Sequence, residues 1–160
     1  MKRKLLAIIA LIAIMATLFV SCSAPAMDRP TMIEGSVAVK VTGSINAVVE
    51  NGVVKINGVC DIDNGTLGTI SVFSVDGKEI DLYKFTKQTD EISHEFTITD
   101  DYPDDFYAFI VFDTDHSGKQ PKEILAKYGK SFENIEPGDI IKWNTYGQFV
   151  VISSDMLKKG

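Results

Sequence analysis

Val48-Val49-Glu50-Asn51-Gly52-Val53-Val54-Lys55-Ile56, residues 48–56, decides how the rest of the chain is read. Two runs rich in β-branched residues meet at an Asn-Gly pair. Both members of that pair tolerate positive φ, so the stretch predicts a hairpin closed by a two-residue turn. On its N-terminal side, Val37-Ala38-Val39-Lys40-Val41 alternates with a period of two, the mark of a half-buried strand. On its C-terminal side, further β-rich runs occupy residues 69–75, 79–86, 92–98, 106–112, 140–143 and 149–153. Asp63-Asn64-Gly65, Asp76-Gly77 and Glu136-Pro137-Gly138-Asp139 separate several of them. Short strands punctuated by turn chemistry at this spacing predict an all-β fold, an immunoglobulin-like antiparallel β-sandwich over residues 36–157. Residues 106–112, apolar on both sides, suit a central strand in a covered sheet, and Tyr107 is the candidate for the tyrosine that closes the preceding corner. One short helix interrupts the pattern. Pro121 suits its first position and Gly129 the residue just past its end, Ile124, Leu125 and Tyr128 share a face, and Glu123 and Lys127 stand at i, i+4.

The N-terminus carries a different signal. Met1-Lys2-Arg3-Lys4 precedes an apolar run over residues 5–20, and small residues follow in Ser21-Cys22-Ser23-Ala24-Pro25. A basic start, an apolar stretch short of the roughly 20 residues that span a bilayer, and small residues at its end describe a secretory signal peptide. Leu18-Phe19-Val20-Ser21-Cys22 also resembles the bacterial lipobox, in which the peptide is cut before a cysteine whose thiol carries a lipid. Residues 1–21 are therefore expected to be a lipoprotein signal peptide. Residues 22–35 are expected to be a lipidated Cys22 followed by a flexible tether of small and Pro-containing sequence. Lipid on Cys22 places the domain on the extracytoplasmic face of the cell membrane.

Removal of the signal takes Lys2, Arg3 and Lys4 with it. Thirteen of the 16 basic residues then face all 22 acidic ones, a net charge of −9. Such a balance opposes nucleic acid and anionic headgroups as partners. Besides Cys22 only Cys60 remains, so no disulfide framework is available and stability must come from a core.

The loop Phe112-Asp113-Thr114-Asp115-His116-Ser117-Gly118-Lys119 copies the first half of an EF-hand, with Asp113, Asp115, Ser117 and Gly118 at the right spacing. An EF-hand also requires an acidic ligand at its twelfth position. Counted from Asp113 that position is Ile124, with Glu123 one residue early, so the EF-hand reading fails. A composite calcium site stays open. In an antiparallel meander the loops at 61–65, 87–91 and 113–118 share one end, which gathers Asp61, Asp63, Asp90, Glu91, Asp113 and Asp115. From that set Asp61, Asp63, Asp113 and Asp115 are the candidate Ca2+ ligands. Turn chemistry explains the same residues without a metal.

Enzyme signatures are sparse. His94 falls in phase with Ile92, Phe96 and Ile98 and reads as an inward or boundary residue, whereas His116 reads as a solvated turn residue. Cys60 shares a strand face with Val54 and Ile56 and behaves as a small buried hydrophobe. No G-x-S-x-G, phosphate loop or H-E-x-x-H is present. Trp143 and Tyr146, with Asn144 and Gln148 as neighbours, are the candidate ligand-binding aromatics; packing of at least two of Trp143, Tyr146 and Phe149 into the core is the competing expectation.

Gln120-Pro121-Lys122-Glu123-Ile124, Tyr128-Gly129, Glu133-Asn134-Ile135 and Gly138 together form a QP-x-x-[VI]…YG…EN-[LI]…G tail. Upstream of it, Asn64-Gly65-Thr66-Leu67-Gly68-Thr69-Ile70-Ser71-Val72 matches a strand motif preceding a hairpin. This combination resembles small, uncharacterised lipoproteins of Gram-positive-type bacteria that carry an immunoglobulin-like domain, over residues 53–138. The resemblance implies the fold and the anchor, and it supplies no catalytic residue. The expected function is a membrane-anchored surface lipoprotein acting as a non-catalytic binding or scaffolding module, with an envelope protein, peptide or glycan as partner. A calcium-dependent adhesion or carbohydrate-binding module is the alternative, followed by a hydrolase using His94 or Cys60.

Overall fold

The computed structural model describes residues 28–160. The expected signal peptide, Cys22 and the first part of the tether lie outside them. Among the described residues nine strands and one helix follow in the order β1 (Gly43–Glu50), β2 (Val53–Cys60), β3 (Leu67–Ser74), β4 (Glu79–Thr86), β5 (Glu91–Thr97), β6 (Asp105–Phe112), α1 (Lys122–Tyr128), β7 (Ile141–Asn144), β8 (Gly147–Ser153) and β9 (Leu157–Lys158). They build an antiparallel β-sandwich. One sheet has the order β1-β2-β5 and the other β4-β3-β6-β8-β7, with β9 paired to β6. The hairpins β1–β2 and β3–β4, with crossings between the sheets from β2 to β3, β4 to β5 and β5 to β6, reproduce the two-sheet, Greek-key arrangement of immunoglobulin-like domains.

The 48–56 stretch folds as its sequence predicts. Glu50 pairs with Val53, and Asn51 and Gly52 have φ of 53° and 74°, the two positive values that a type I′ turn needs. Between the sheets, Val54, Ile56, Ile70, Val72, Phe106, Ile110, Phe112 and Ile152 form the main core. Burial of each large side chain contributes about 1.5–3 kcal/mol. Gly58 of β2 lets the layers approach closely, since a Cβ there would lie 2.2 Å from Ile110 Cδ1. Phe73, Phe109 and Val111 form a separate cluster with Tyr107 and Val151. Their neighbours along the strands, such as Val72 and Ala108, belong to the main core, so this cluster occupies the opposite face of the second sheet.

Two local expectations are corrected. Val37–Val41 does not form a sheet strand. Val39 instead makes an isolated parallel bridge to Ile135, with Val39 N–H donating to Asn134 O and Glu136 N–H donating to Val39 O, both at 2.8 Å. Tyr107 is not the corner tyrosine, because it packs into the second cluster. Tyr102, five residues earlier, is buried and donates its hydroxyl to Asp81 Oδ2 at 2.5 Å.

Helix α1 seals one end of the sandwich by burying Ile124 and Tyr128 in the main core. At seven residues it is too short to persist alone, so this docking holds it. Gly129 follows its end with φ of 90°, as the sequence predicts. Lys127, however, pairs with Asp63 at 2.7 Å.

Candidate functional site

The alternating strand directions do bring the loops at 61–65, 87–90 and 113–120 to the same end as α1. Gly65 N–H donates to Lys87 O, Leu67 N–H donates to Gln120 Oε1, and Gln120 Nε2 donates to the carbonyls of Leu67 and Asp113. The acidic residues at this end nevertheless keep separate partners. Asp61 accepts hydrogen bonds from Thr42 N–H and Oγ1, each at 2.7 Å. Asp63 holds Lys127. Asp113 Oδ1 accepts the backbone N–H groups of Asp115 and Ser117 at 2.8 and 2.9 Å, so its carboxylate organises its own loop. Asp115 points to solvent as an exposed residue. The four carboxylates are not brought together, and among the described residues no group of three or more His, Cys, Asp or Glu side chains is arranged to hold a metal ion.

Lys87 is the residue the sequence reading missed. It is 1 % exposed, and its Nζ donates to Asn64 Oδ1 at 2.9 Å and to Asp90 Oδ1 at 2.8 Å. One buried cation therefore ties the β2–β3 loop to the β4–β5 connection.

Beside Lys87, strands β4 and β5 are edge strands of their respective sheets among the described residues, and the Tyr83–His94 contact puts them on the same side of the sandwich. Between them opens a cleft of about 210 Å³ lined by Tyr83, Phe85, Lys87, Glu91, Ile92 and Ser93. The Tyr83 and His94 rings stack across this seam with centroids 3.9 Å apart and planes 6° from parallel. Phe96 meets the His94 ring edge-on at 4.5 Å. Burial holds the His94 pKa below its ordinary value, with Asp81 and Glu95 opposing the shift. His94 is thus the boundary residue that its phase predicts.

His116 departs from expectation. Its loop drapes onto β4, with Lys84 Nζ donating to His116 O at 2.6 Å. Its Nε2 is buried without a hydrogen bond, 3.8 Å from Glu79 Oε2. Burial raises the Glu79 pKa, and His116 and Lys84 counter that rise. Cys60 is fully buried, and burial pushes its thiol up to about 11, away from the thiolate a nucleophile needs.

The aromatic trio divides. Phe149 is 4 % exposed, but Trp143 and Tyr146 are 38 % and 52 % exposed, so the expectation that two of the three pack into the core is corrected. Both exposed rings belong to the β7–β8 hairpin, which lies at the same end as α1 because β8 runs antiparallel to β6. Gly147 allows this turn to sit tightly on the chain, since its φ is 137° and a Cβ would lie 2.7 Å from Ser131 Cβ. Behind the turn, Gln148 is 1 % exposed and donates from Nε2 to Phe132 O and Ile135 O at 2.9 and 2.7 Å. Gln148 Oε1 accepts a hydrogen bond from Arg29 Nε at 2.6 Å, and Arg29 Nη2 donates to Ile135 O. The segment expected to be a tether is therefore fastened to the domain at Arg29. A hollow of about 360 Å³ separates Asp28 and Pro30 from residues 144–147.

Among the described residues no helix is long and apolar enough to cross a membrane. No protein-family model, no curated protein and no solved structure matches this chain.

Proposed function

We propose that this chain is a surface lipoprotein, held at the extracytoplasmic face of the cell membrane by lipid on Cys22, whose immunoglobulin-like sandwich serves as a non-catalytic binding or scaffolding module. The observation that carries the reading is the placement of Leu18-Phe19-Val20-Ser21-Cys22 after a basic start and an apolar run, only seven residues before Arg29. Two acyl chains on one cysteine anchor stably, because each buried methylene contributes about 0.8 kcal/mol. The non-catalytic part of the reading is supported by how the reactive side chains are spent. Cys60 is sealed in the core, and His94 is committed to an aromatic stack. The open cleft between the unpaired edges of β4 and β5 suits an extended envelope peptide, which could add backbone hydrogen bonds along a sheet edge.

The anchor is tested by expressing the intact and Cys22→Ala chains in a bacterial host supplied with radioactive palmitate. The intact chain should carry label, and the variant should carry none while keeping the uncleaved apolar run of residues 5–20. Equal labelling of the two would end the lipoprotein reading.

A further inference from the structure

We propose that the β7–β8 hairpin turn, through Tyr146 and Trp143, rests on the interface of the same bilayer that holds the Cys22 lipid. The proposal builds on the lipoprotein reading and adds a second contact and an orientation to it. Arg29 is seven positions after Cys22, and a chain spans at most about 3.3–3.6 Å per residue, so the Arg29 Cα stays within about 25 Å of the Cα of the lipidated cysteine. Arg29 is bonded to Gln148, the residue next to the turn, so the turn is leashed to the membrane at nearly the same reach. The aromatic rings exposed there are of the two types that favour the water–hydrocarbon boundary, where an apolar ring and a polar tip are satisfied together.

Charge near the turn fits this placement better than the net charge does. Gln148 N–H donates to Ser131 O, which sets Lys130 beside the hairpin, and Lys142 lies on β7 itself. Asp28 is the acidic residue lining the same hollow. Asp61, Asp63 and Asp113 are bound up with Thr42, Lys127 and the 113–117 loop, while Asp115 is exposed at the same end, so the contact is carried by the aromatic rings rather than by charge. The short leash raises the effective concentration of the turn at the surface, so a contact too weak to recruit the free domain forms once the lipid is inserted. The opposite end of the sandwich, with the Asn51–Gly52 turn, then faces away from the membrane.

Trp143 is the sole tryptophan in the chain, so its emission reports this contact directly. The lipidated, signal-processed protein is reconstituted in phosphatidylcholine–phosphatidylglycerol vesicles containing lipid with a nitroxide on its headgroup. Flotation shows that the protein is bound, and emission is compared with that of a chain beginning at Ser23, which carries neither signal nor lipid, mixed with the same vesicles. The expected result is flotation with loss of Trp143 emission and a blue shift for the lipidated protein alone. Tyr146→Ser should lose much of that quenching while floating and melting as before. Flotation with emission that stays unquenched by the nitroxide and open to aqueous iodide overturns the contact alone, leaving the hairpin free for a peptide or glycan. Full quenching retained in Tyr146→Ser overturns the role of the turn. Absence of flotation overturns both the contact and the anchor.

Discussion

Gln148 has a polar side chain in a position that alternation assigns to the core face, beside Val150 and Ile152. It is tolerated there because its amide is fully used, donating to Phe132 O and Ile135 O and accepting from Arg29. Phe132 is itself buried at a φ of 56°, a left-handed conformation that a bulky residue adopts only when its surroundings hold it. Gln148→Leu keeps the volume but takes one of two donors from each carbonyl, leaving Phe132 O with Ile135 N–H and Ile135 O with Arg29 Nη2, and removes the acceptor of Arg29 Nε; it is expected to lower stability by about 1–3 kcal/mol in urea unfolding. A change within about 0.5 kcal/mol would mean that the amide does not hold this segment. None of this is legible locally. Gln148 reads as a polar neighbour of a turn, and Lys87 as the polar end of a strand run. Both become central only when distant segments fold back onto them.

Strands β4 and β5 show how much of the architecture local sequence does carry. Their runs, the Asn51–Gly52 turn and the helix between Pro121 and Gly129 follow from alternation and turn chemistry, because those signals depend on near neighbours. The Val37–Val41 run misleads for a physical reason. A period of two reports that one side of an extended segment is buried and does not name the partner, which here is Ile135 rather than a sheet strand. The sequence leaves the exposure of Trp143 and Tyr146 undecided between a binding face and core packing, since aromatic content does not say where a hairpin ends relative to the core.

The seam between β4 and β5 also carries a pH dependence. Because burial lowers the His94 pKa in the fold, the unfolded chain takes up its proton first, near the ordinary value of about 6.5. Stability should therefore fall as pH drops through that value toward the lower folded one, with no contribution from His94 at higher pH. Glu79, whose raised pKa acts in the opposite sense, is common to both chains and cancels in a comparison. Melting temperatures of the native and His94→Gln proteins should thus converge as the buffer is made more acidic, with the variant showing the shallower decline. Parallel profiles would show that the Tyr83–His94 stack imposes no cost on protonation.

At the scale of the whole molecule, an acidic sandwich whose one described cysteine is buried has the N-terminal segment fastened to it. Its long axis is given a direction by Arg29, which fixes the exit of the chain at the hairpin end. The fold was largely readable from the chain. The gathering of acidic loops at one end was readable too, but not the separate partner that each carboxylate takes. The most direct measurement is the mass of the N-terminal peptide from protein extracted from the bacterial membrane. A peptide beginning at Cys22 and carrying a diacylglyceryl group is the predicted result; a chain that still begins at Met1, or an unmodified Cys22, would contradict the account.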